Sequence, residues 1–151
     1  MKKINLTLIS SLFLILAIFL VIAIKKPSII EEKSLPVVLL PAQESCFEKE
    51  NQCINSDVVL HFPTPIPVAQ SFEARVEFKN HPKIEKVRLA LQGVEMDMGH
   101  LEYVLQEKTP GVFGREVLIP ICLTGKMKWR AVVKVDTKDK QTHIPFEFWA
   151  G

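Results

Sequence analysis

Apolar and polar residues alternate with a period of two along most of the chain after residue 57. In residues 71–79 every second position is apolar, from Phe72 to Phe78. Further strand-like runs occupy residues 86–94, 100–107, 112–122, 127–135 and 142–150. Alternation of this kind is typical of strands that bury one face. The pattern therefore predicts a domain built from short β-strands.

Proline and glycine separate these runs more often than they interrupt them, and no helical period is present outside the N-terminal region. Residues 57–62 form one more predicted strand, at a sheet edge, because the prolines of residues 63–67 cannot donate to a β-ladder. Six or seven short strands with turns between them describe an antiparallel β-sandwich of immunoglobulin (Ig) type. We predict this all-β, Ig-like domain over residues 57–151.

The N-terminal segment, residues 5–24, carries no charge. Its length matches the roughly 20 residues that a helix needs to cross a bilayer. Lysines lie on both sides of the run, so the positive-inside rule gives only a weak preference for a cytoplasmic location of residues 1–4. A cleaved signal peptide is the main alternative, but no small-x-small cleavage site follows. A buried helix of a soluble protein is the third interpretation. We predict a retained, single-pass transmembrane helix.

Residues 25–56 contain prolines and small polar residues with little periodicity, and we predict a stalk that ends in a cysteine loop. Cys46 and Cys53 have a spacing that a local disulfide closes if the domain faces an oxidising compartment. Cys122 lies outside this predicted pair. The simplest interpretation of Cys122 is a small apolar side chain in the core.

The charge and motif content argues against two classes of function. The 19 Lys and Arg residues nearly balance the 17 Asp and Glu residues, so no strong positive field exists to attract nucleic acid. The chain has no nucleophile elbow, phosphate-binding glycine loop, H-E-x-x-H or C-x-x-C motif. We therefore expect neither a nucleic-acid partner nor enzymatic activity.

The order of the predicted strands brings separate parts of the sequence to one end of the domain. In an antiparallel arrangement alternate connections lie at opposite ends, which places residues 93–99 and residues 122–126 at the same end. Several soft or imidazole donors fall in or beside these two connections: Met96, Met98, His100, Cys122 and Met127. Thioether, thiolate and imidazole groups suit Cu(I), a soft cation. We therefore predict a Cu(I) site at this end, in which Met96, Met98 and His100 bind the ion and Cys122 or Met127 completes a three- or four-coordinate centre.

The segment Met96-Asp97-Met98 is the centre of this prediction. If it stays extended, a period of two places both thioethers and His100 on one face and Asp97 on the other, although Gly99 permits a bulge. The alternative is that the methionines fill an irregular gap in the core, which is their commonest role.

Three features within residues 86–149 resemble the YtkA-like and FixH-like group of membrane-anchored, Ig-like domains that act outside the cytoplasmic membrane of bacteria. They are the methionine-containing loop between two strands, the G-x-F turn at residues 111–113 and the Lys-Met-Lys-Trp strand start at residues 126–129. The loop has fewer methionines than a dedicated copper store, and the H-x-M pattern of other periplasmic copper chaperones is absent.

This resemblance implies a single-pass protein of the inner (cytoplasmic) membrane with its C-terminal domain in the periplasm. It also implies copper delivery or cytochrome oxidase assembly, with Sco-type copper chaperones or oxidase subunits as partners. Weak Cu(I) binding at the methionine loop is the function we expect from sequence. The alternative is a metal-free interaction module of a membrane complex.

Overall fold

The computed structural model describes residues 35–80, 83–122 and 125–151, and these residues form an all-β fold without a helix. The predicted transmembrane segment, residues 5–24, lies outside the described residues. Within the described ranges no helix is long and apolar enough to cross a membrane. The residues from Leu35 to Gly151 form one compact unit.

Ten strands make up this unit, and we number them in chain order. They are β1 (Val37–Leu39), β2 (Gln43–Cys46), β3 (Gln52–Asn55), β4 (Val58–His61), β5 (Ser71–Phe78), β6 (Ile84–Gly93), β7 (Leu101–Thr109), β8 (Val112–Leu118), β9 (Met127–Thr137) and β10 (Gln141–Ala150). The strands from β4 onward occupy the segments in which the sequence alternates, so the all-β prediction is confirmed there.

All ten strands belong to one curled, mixed sheet. Its order is β1-β10-β9-β6-β7-β8-β5-β4-β3, and β2 pairs with β10 beside β1. β1 and β2 run parallel to β10, whereas every other pairing is antiparallel. β7 changes partner along its length, because residues 101–105 pair with β6 and residues 106–109 pair with β8.

The inner face of the curled sheet encloses one hydrophobic core. In β5 the burial of side chains alternates without exception, and Phe72, Ala74, Val76 and Phe78 face inward. Trp129 on β9 is 1% exposed and is a large aromatic side chain of this core. The other large buried side chains include Phe62, Phe146, Phe148, Leu60, Leu89 and Leu91.

Residues 37–55 contribute three strands to the sheet, which corrects the prediction of a stalk and cysteine loop for this described part of residues 25–56. β1, β2 and β3 have only three or four residues each, and the side chains of β1 are all exposed. Strands so short show no measurable period, and β1 and β2 pair with β10, the last of the ten strands. β3 pairs with its sequence neighbour β4, which lies between β3 and β5 and is therefore not the edge strand predicted for residues 57–62. The parallel pairing of β1 and β2 also departs from the purely antiparallel arrangement expected.

Two interactions bring β3 close to the other margin of the sheet. A disulfide joins Cys46 of β2 to Cys53 of β3, the pairing that their spacing predicts. The side-chain amide of Asn55 donates hydrogen bonds to the carbonyl oxygens of Pro41 and Pro145. The disulfide and these hydrogen bonds therefore link β3 to β2 and β10, although no β-ladder joins β3 to either strand.

The connections define two ends of the sheet. We call the end that carries residues 94–100, 119–122 and 125–126 the methionine end. The opposite end carries residues 79–80, 83, 110–111 and 138–140, and we call it the lysine end. Gly93 lies opposite Trp129 in the ladder, and Ile84 lies opposite Thr137 at the other end of the same pair of strands. The predicted placement of both donor-bearing connections at one end is therefore confirmed.

Candidate metal site

The methionine loop, residues 94–100, is tied to the first residues of β9. The backbone amide of Val94 donates to the carbonyl oxygen of Lys128 at 2.9 Å, and the amide of Lys128 donates to a carboxylate oxygen of Glu95 at 3.3 Å. The amide of Gly99 donates to Oδ1 of Asp97 at 2.9 Å, which closes a local turn. These bonds hold the loop against the strand that begins at Met127.

Met98 and Met127 meet beside Gly93, although they lie on different segments. A β-carbon placed on Gly93 would lie 3.1 Å from Cγ of Met98 and 2.7 Å from Cε of Met127. The same position is 2.2 Å from the carbonyl oxygen of Met96. Only a residue without a side chain leaves room for both methionine side chains here.

Met96 and Met98 have different surroundings. The side chain of Met96 is 49% exposed, whereas Met98 is half-buried against the core. The loop bends over residues 94–96 instead of continuing as a strand, so the alternation of the strand is lost. For this reason the three side chains of Met96, Met98 and His100 do not share one face, as an extended segment would require.

A shallow hollow of about 470 Å³ lies on the outer side of the loop. It is lined by Met96 and His100 together with Gln92, Gly93, Val94, Glu95, Asp97 and Gly99. His100 is exposed, and its Nε2 lies 3.7 Å from Oε2 of Glu102. Met96 and His100 are thus the two soft or imidazole donors at the surface.

The two remaining predicted ligands are buried. Met127 is 2% exposed and Cys122 is 6% exposed, and both belong to the core cluster. The carbonyl oxygen of Cys122 accepts a hydrogen bond from the amide of Gly125 at the same end. The structure therefore brings Met98 and Met127 together, places Met96 and His100 at the surface beside them, and keeps Cys122 in the core of this end.

Three of the five predicted ligands are methionines, whose thioether sulfur atoms carry no charge. Within the described ranges, no three His, Cys, Asp or Glu side chains are grouped in a way that would hold a metal ion. Hard cations prefer such oxygen-rich groups, whereas thioethers and imidazole suit Cu(I). The thioethers of Met98 and Met127 beside Gly93 are therefore ligands that suit a soft cation.

An ion-pair group on the outer face of the sheet lies next to this end, and sequence reasoning did not identify it. Glu147 on β10 is buried and pairs with Lys128 and Arg130 on β9, each at 2.5 Å. The hydrogen bonds from Lys128 and then Arg130 hold the pKa of the Glu147 carboxyl below its usual value, against the opposing effect of burial. The alternation of charge along β9 and β10 was the available signal, but it does not reveal strand register.

A second polar network covers the middle of the outer face. Arg88 bonds to Glu102 and Asp136, and Lys134 also pairs with Glu102. Burial raises the pKa of the Glu102 carboxyl, but the hydrogen bond and charge of Lys134, followed by those of Arg88, outweigh it and leave that pKa lowered. These ion pairs hold neighbouring strands in register.

We compared the chain with protein-family models, with curated proteins and with solved structures, and none of the three comparisons found a match.

Proposed function

We propose that this chain is a membrane-anchored periplasmic protein that binds Cu(I) weakly at its methionine end and serves copper delivery or cytochrome oxidase assembly. In this proposal residues 5–24 anchor it in the inner membrane and the curled sheet is an Ig-like sandwich of the YtkA-like and FixH-like kind. The observation that supports it is the meeting of the Met98 and Met127 side chains at Gly93, beside the exposed Met96.

The chemistry of these donors suits transfer of the ion. Thioethers are neutral and soft, so they bind Cu(I) without the charge neutralisation that a thiolate provides. Met96 and His100 lie at the surface, where an incoming ion would meet them first. Met98 and Met127 are deeper and would hold the ion against the core side of the loop. A Sco-type chaperone or an oxidase subunit is the partner that this arrangement would serve.

The test is a Cu(I) titration of the full chain in detergent, under anaerobic conditions and against a chromophoric competitor. We expect uptake of about one Cu(I) per chain, because the methionine end offers a single group of thioethers. Replacing both Met96 and Met98 by leucine keeps the apolar volume and removes two sulfur atoms, so uptake should be lost. Val94→Leu, in the same loop, is the matched control and should leave uptake unchanged. Unchanged stoichiometry in the double variant would reject the site.

A metal-free interaction module is the second candidate, and a separate observation favours it. Five apolar side chains are exposed at or beside the methionine end: Val94 (40%), Met96 (49%), Leu118 (36%), Ile121 (62%) and Trp149 (43%). Val94 and Trp149 lie on either side of Lys128 in one row across the sheet. Such a group of exposed apolar side chains is typical of a protein-binding surface. Equal capture of an oxidase subunit by copper-depleted wild-type chain and by the methionine double variant would favour this function.

A further inference from the structure

The lysine end carries an apolar strand whose side chains are exposed. The side chains of Val37, Val38 and Leu39 on β1 are 57%, 40% and 71% exposed, respectively. β1 is the terminal strand of the sheet and pairs only with β10, at the residues Gln141 to His143. Three consecutive exposed apolar residues on an edge strand are unusual in a protein whose surface meets only water.

A cleft of about 520 Å³ continues this apolar surface into the lysine end. Its lining includes Val38 and Leu40 on one side and the core residues Val58, Phe78, Val135 and Ile144 on the other. Lys140 and Asn80 also line the cleft. Apolar side chains therefore extend from β1 into the cleft, with a cationic group among them.

Charge is distributed unequally between the two ends of the described unit. In the connections of the lysine end and the strand residues next to them, the exposed cationic residues are Lys79, Lys83, Lys86, Lys108, Lys138 and Lys140, against the exposed acidic residues Asp57, Glu77, Glu85, Glu107 and Asp139. At the methionine end the exposed acidic residues Glu48, Glu50, Glu95 and Asp97 outnumber the exposed cationic residues Lys49 and Lys126. Only the lysine end thus combines an apolar surface with a cationic excess.

The chain enters the described unit at this same end. The carbonyl oxygen of Pro36 accepts a hydrogen bond from the amide of Gln141, at the start of β10. In the sequence, residues 25–34 separate Leu35 from the uncharged segment 5–24, and this connection spans at most about 35 Å. A bilayer that holds residues 5–24 would therefore be within reach of the lysine end.

We propose that the lysine end is a lipid-docking surface for an anionic bilayer. Val37, Val38 and Leu39 enter the interfacial layer of the bilayer, where apolar side chains lose contact with water. The surrounding lysines, including Lys138 and Lys140, contact the lipid phosphates. Because β10 runs from this end to the other over about 30 Å, the methionine end is presented away from the membrane surface. The proposal rests on the membrane anchor of the proposed function, but it concerns a different surface from the Cu(I) site and stands or falls independently of that site.

The experiment uses the full chain in nanodiscs that contain phosphatidylglycerol and nitroxide-labelled lipid. A fluorophore is attached through Leu39→Cys, and a matched label through Ile121→Cys reports on the equally exposed methionine end. The wild-type chain measures background labelling, which the Cys46–Cys53 disulfide and the burial of Cys122 keep low. We expect at least twofold stronger quenching at position 39 than at position 121. Equal quenching at the two positions, or none at position 39, would overturn the proposal.

Charge reversal tests the role of the lysines with a second pair of variants. Lys138→Glu combined with Lys140→Glu should reduce quenching at position 39 to the level measured in uncharged phosphatidylcholine nanodiscs. Lys49→Glu combined with Lys126→Glu makes the same change in charge at the methionine end and should have no effect. All four side chains are exposed, so the fold is kept in both variants. Full quenching in the first double variant would overturn the contribution of Lys138 and Lys140 to docking.

Discussion

The side-chain nitrogen of Asn55 donates a hydrogen bond of 3.0 Å to the carbonyl oxygen of Pro145, although the two residues are 90 positions apart in the chain. The same nitrogen donates to the carbonyl oxygen of Pro41 at 2.9 Å. No β-ladder joins β3 to β10 in the described sheet, so this amide connects three segments there and acts beside the Cys46–Cys53 disulfide.

Asn55→Ala should lower the free energy of unfolding by about 1–3 kcal/mol, because two carbonyl oxygens lose their donor in a buried setting. Urea unfolding followed by near-ultraviolet circular dichroism measures this change. Asn51→Ala is the matched control, because the Asn51 side chain is exposed and should contribute less than about 0.5 kcal/mol. Equal effects of the two substitutions would contradict a stabilising role for the hydrogen bonds of the Asn55 side chain.

Reduction of the Cys46–Cys53 disulfide should lower the free energy of unfolding by about 2 kcal/mol. The bond closes a short loop of the chain, with a sequence separation of 7, and the gain from loop closure is correspondingly modest. Unfolding of the wild-type chain with and without reductant measures the difference. A chain with Cys46→Ser and Cys53→Ser should be insensitive to reductant, which separates this bond from other effects of the reagent.

Stability should fall in acid partly through Glu147. Its pKa is lowered in the folded state from an ordinary value of 4.5, so the ionised form is the one that the fold favours. Its contribution is complete above pH 4.5 and is lost as the pH falls through the lowered folded pKa. Glu147→Gln should reduce stability at pH 7 by about 1–3 kcal/mol. The variant should also show a shallower loss of stability in acid, whereas Glu116→Gln, at an exposed position, should not.

His143 should remain neutral to a lower pH than an ordinary histidine. Burial lowers its pKa first, and the charges of Lys134 and Arg88 lower it further, against the opposing charges of Asp136 and Glu102. Because the pKa of His143 is lower in the folded state than its ordinary value of 6.5, the neutral ring stabilises the fold fully above pH 6.5. This contribution to stability is lost as the pH falls through the pKa of the folded state. NMR titration of the imidazole should give a pKa below 6.5, and Lys134→Gln should raise it. A pKa at or above 6.5 would contradict the described surroundings of the ring.

Gly93→Ala should displace the methionine loop. The new methyl group would lie 2.2 Å from the Met96 carbonyl oxygen and 2.7 Å from Cε of Met127, so the loop must move, at a cost of about 1–3 kcal/mol. Methyl NMR signals of Met98 and Met127 should shift together. Gly99→Ala is the control: the backbone φ of Gly99 is +80° and a β-carbon there has no neighbour within 4 Å. That variant should cost about 1 kcal/mol through backbone strain and leave the Met127 methyl signal in place.

The sequence predicts the inner faces of the strands well, because a strand that buries one face alternates apolar and polar residues. β5 shows this most clearly, since Phe72 to Phe78 alternate in the structure as they do in the sequence. Counting antiparallel connections also places Met98 and Met127 at one end correctly. That step needs only the direction of each strand and does not depend on which strands are neighbours.

The sequence does not predict features that depend on register or on distant partners. The exposed residues of β1 resemble a linker, because their hydrogen bonds are made to a strand near the other end of the chain. The inward turn of Met98 depends on a bend at residues 94–96 and on the space left by Gly93, neither of which has a periodic signature. The pairing of Glu147 with Arg130 likewise requires the register of β9 and β10.

The position of β10 in the sheet has a consequence for biosynthesis. This strand is the last of the ten described strands in sequence order, yet it is the hydrogen-bonding partner of β1, β2 and β9. During synthesis the first two strands therefore have no place to dock until the final residues of the sheet have left the ribosome. Folding of this unit must be completed after translation of β10, and it depends on contacts that span almost the whole domain.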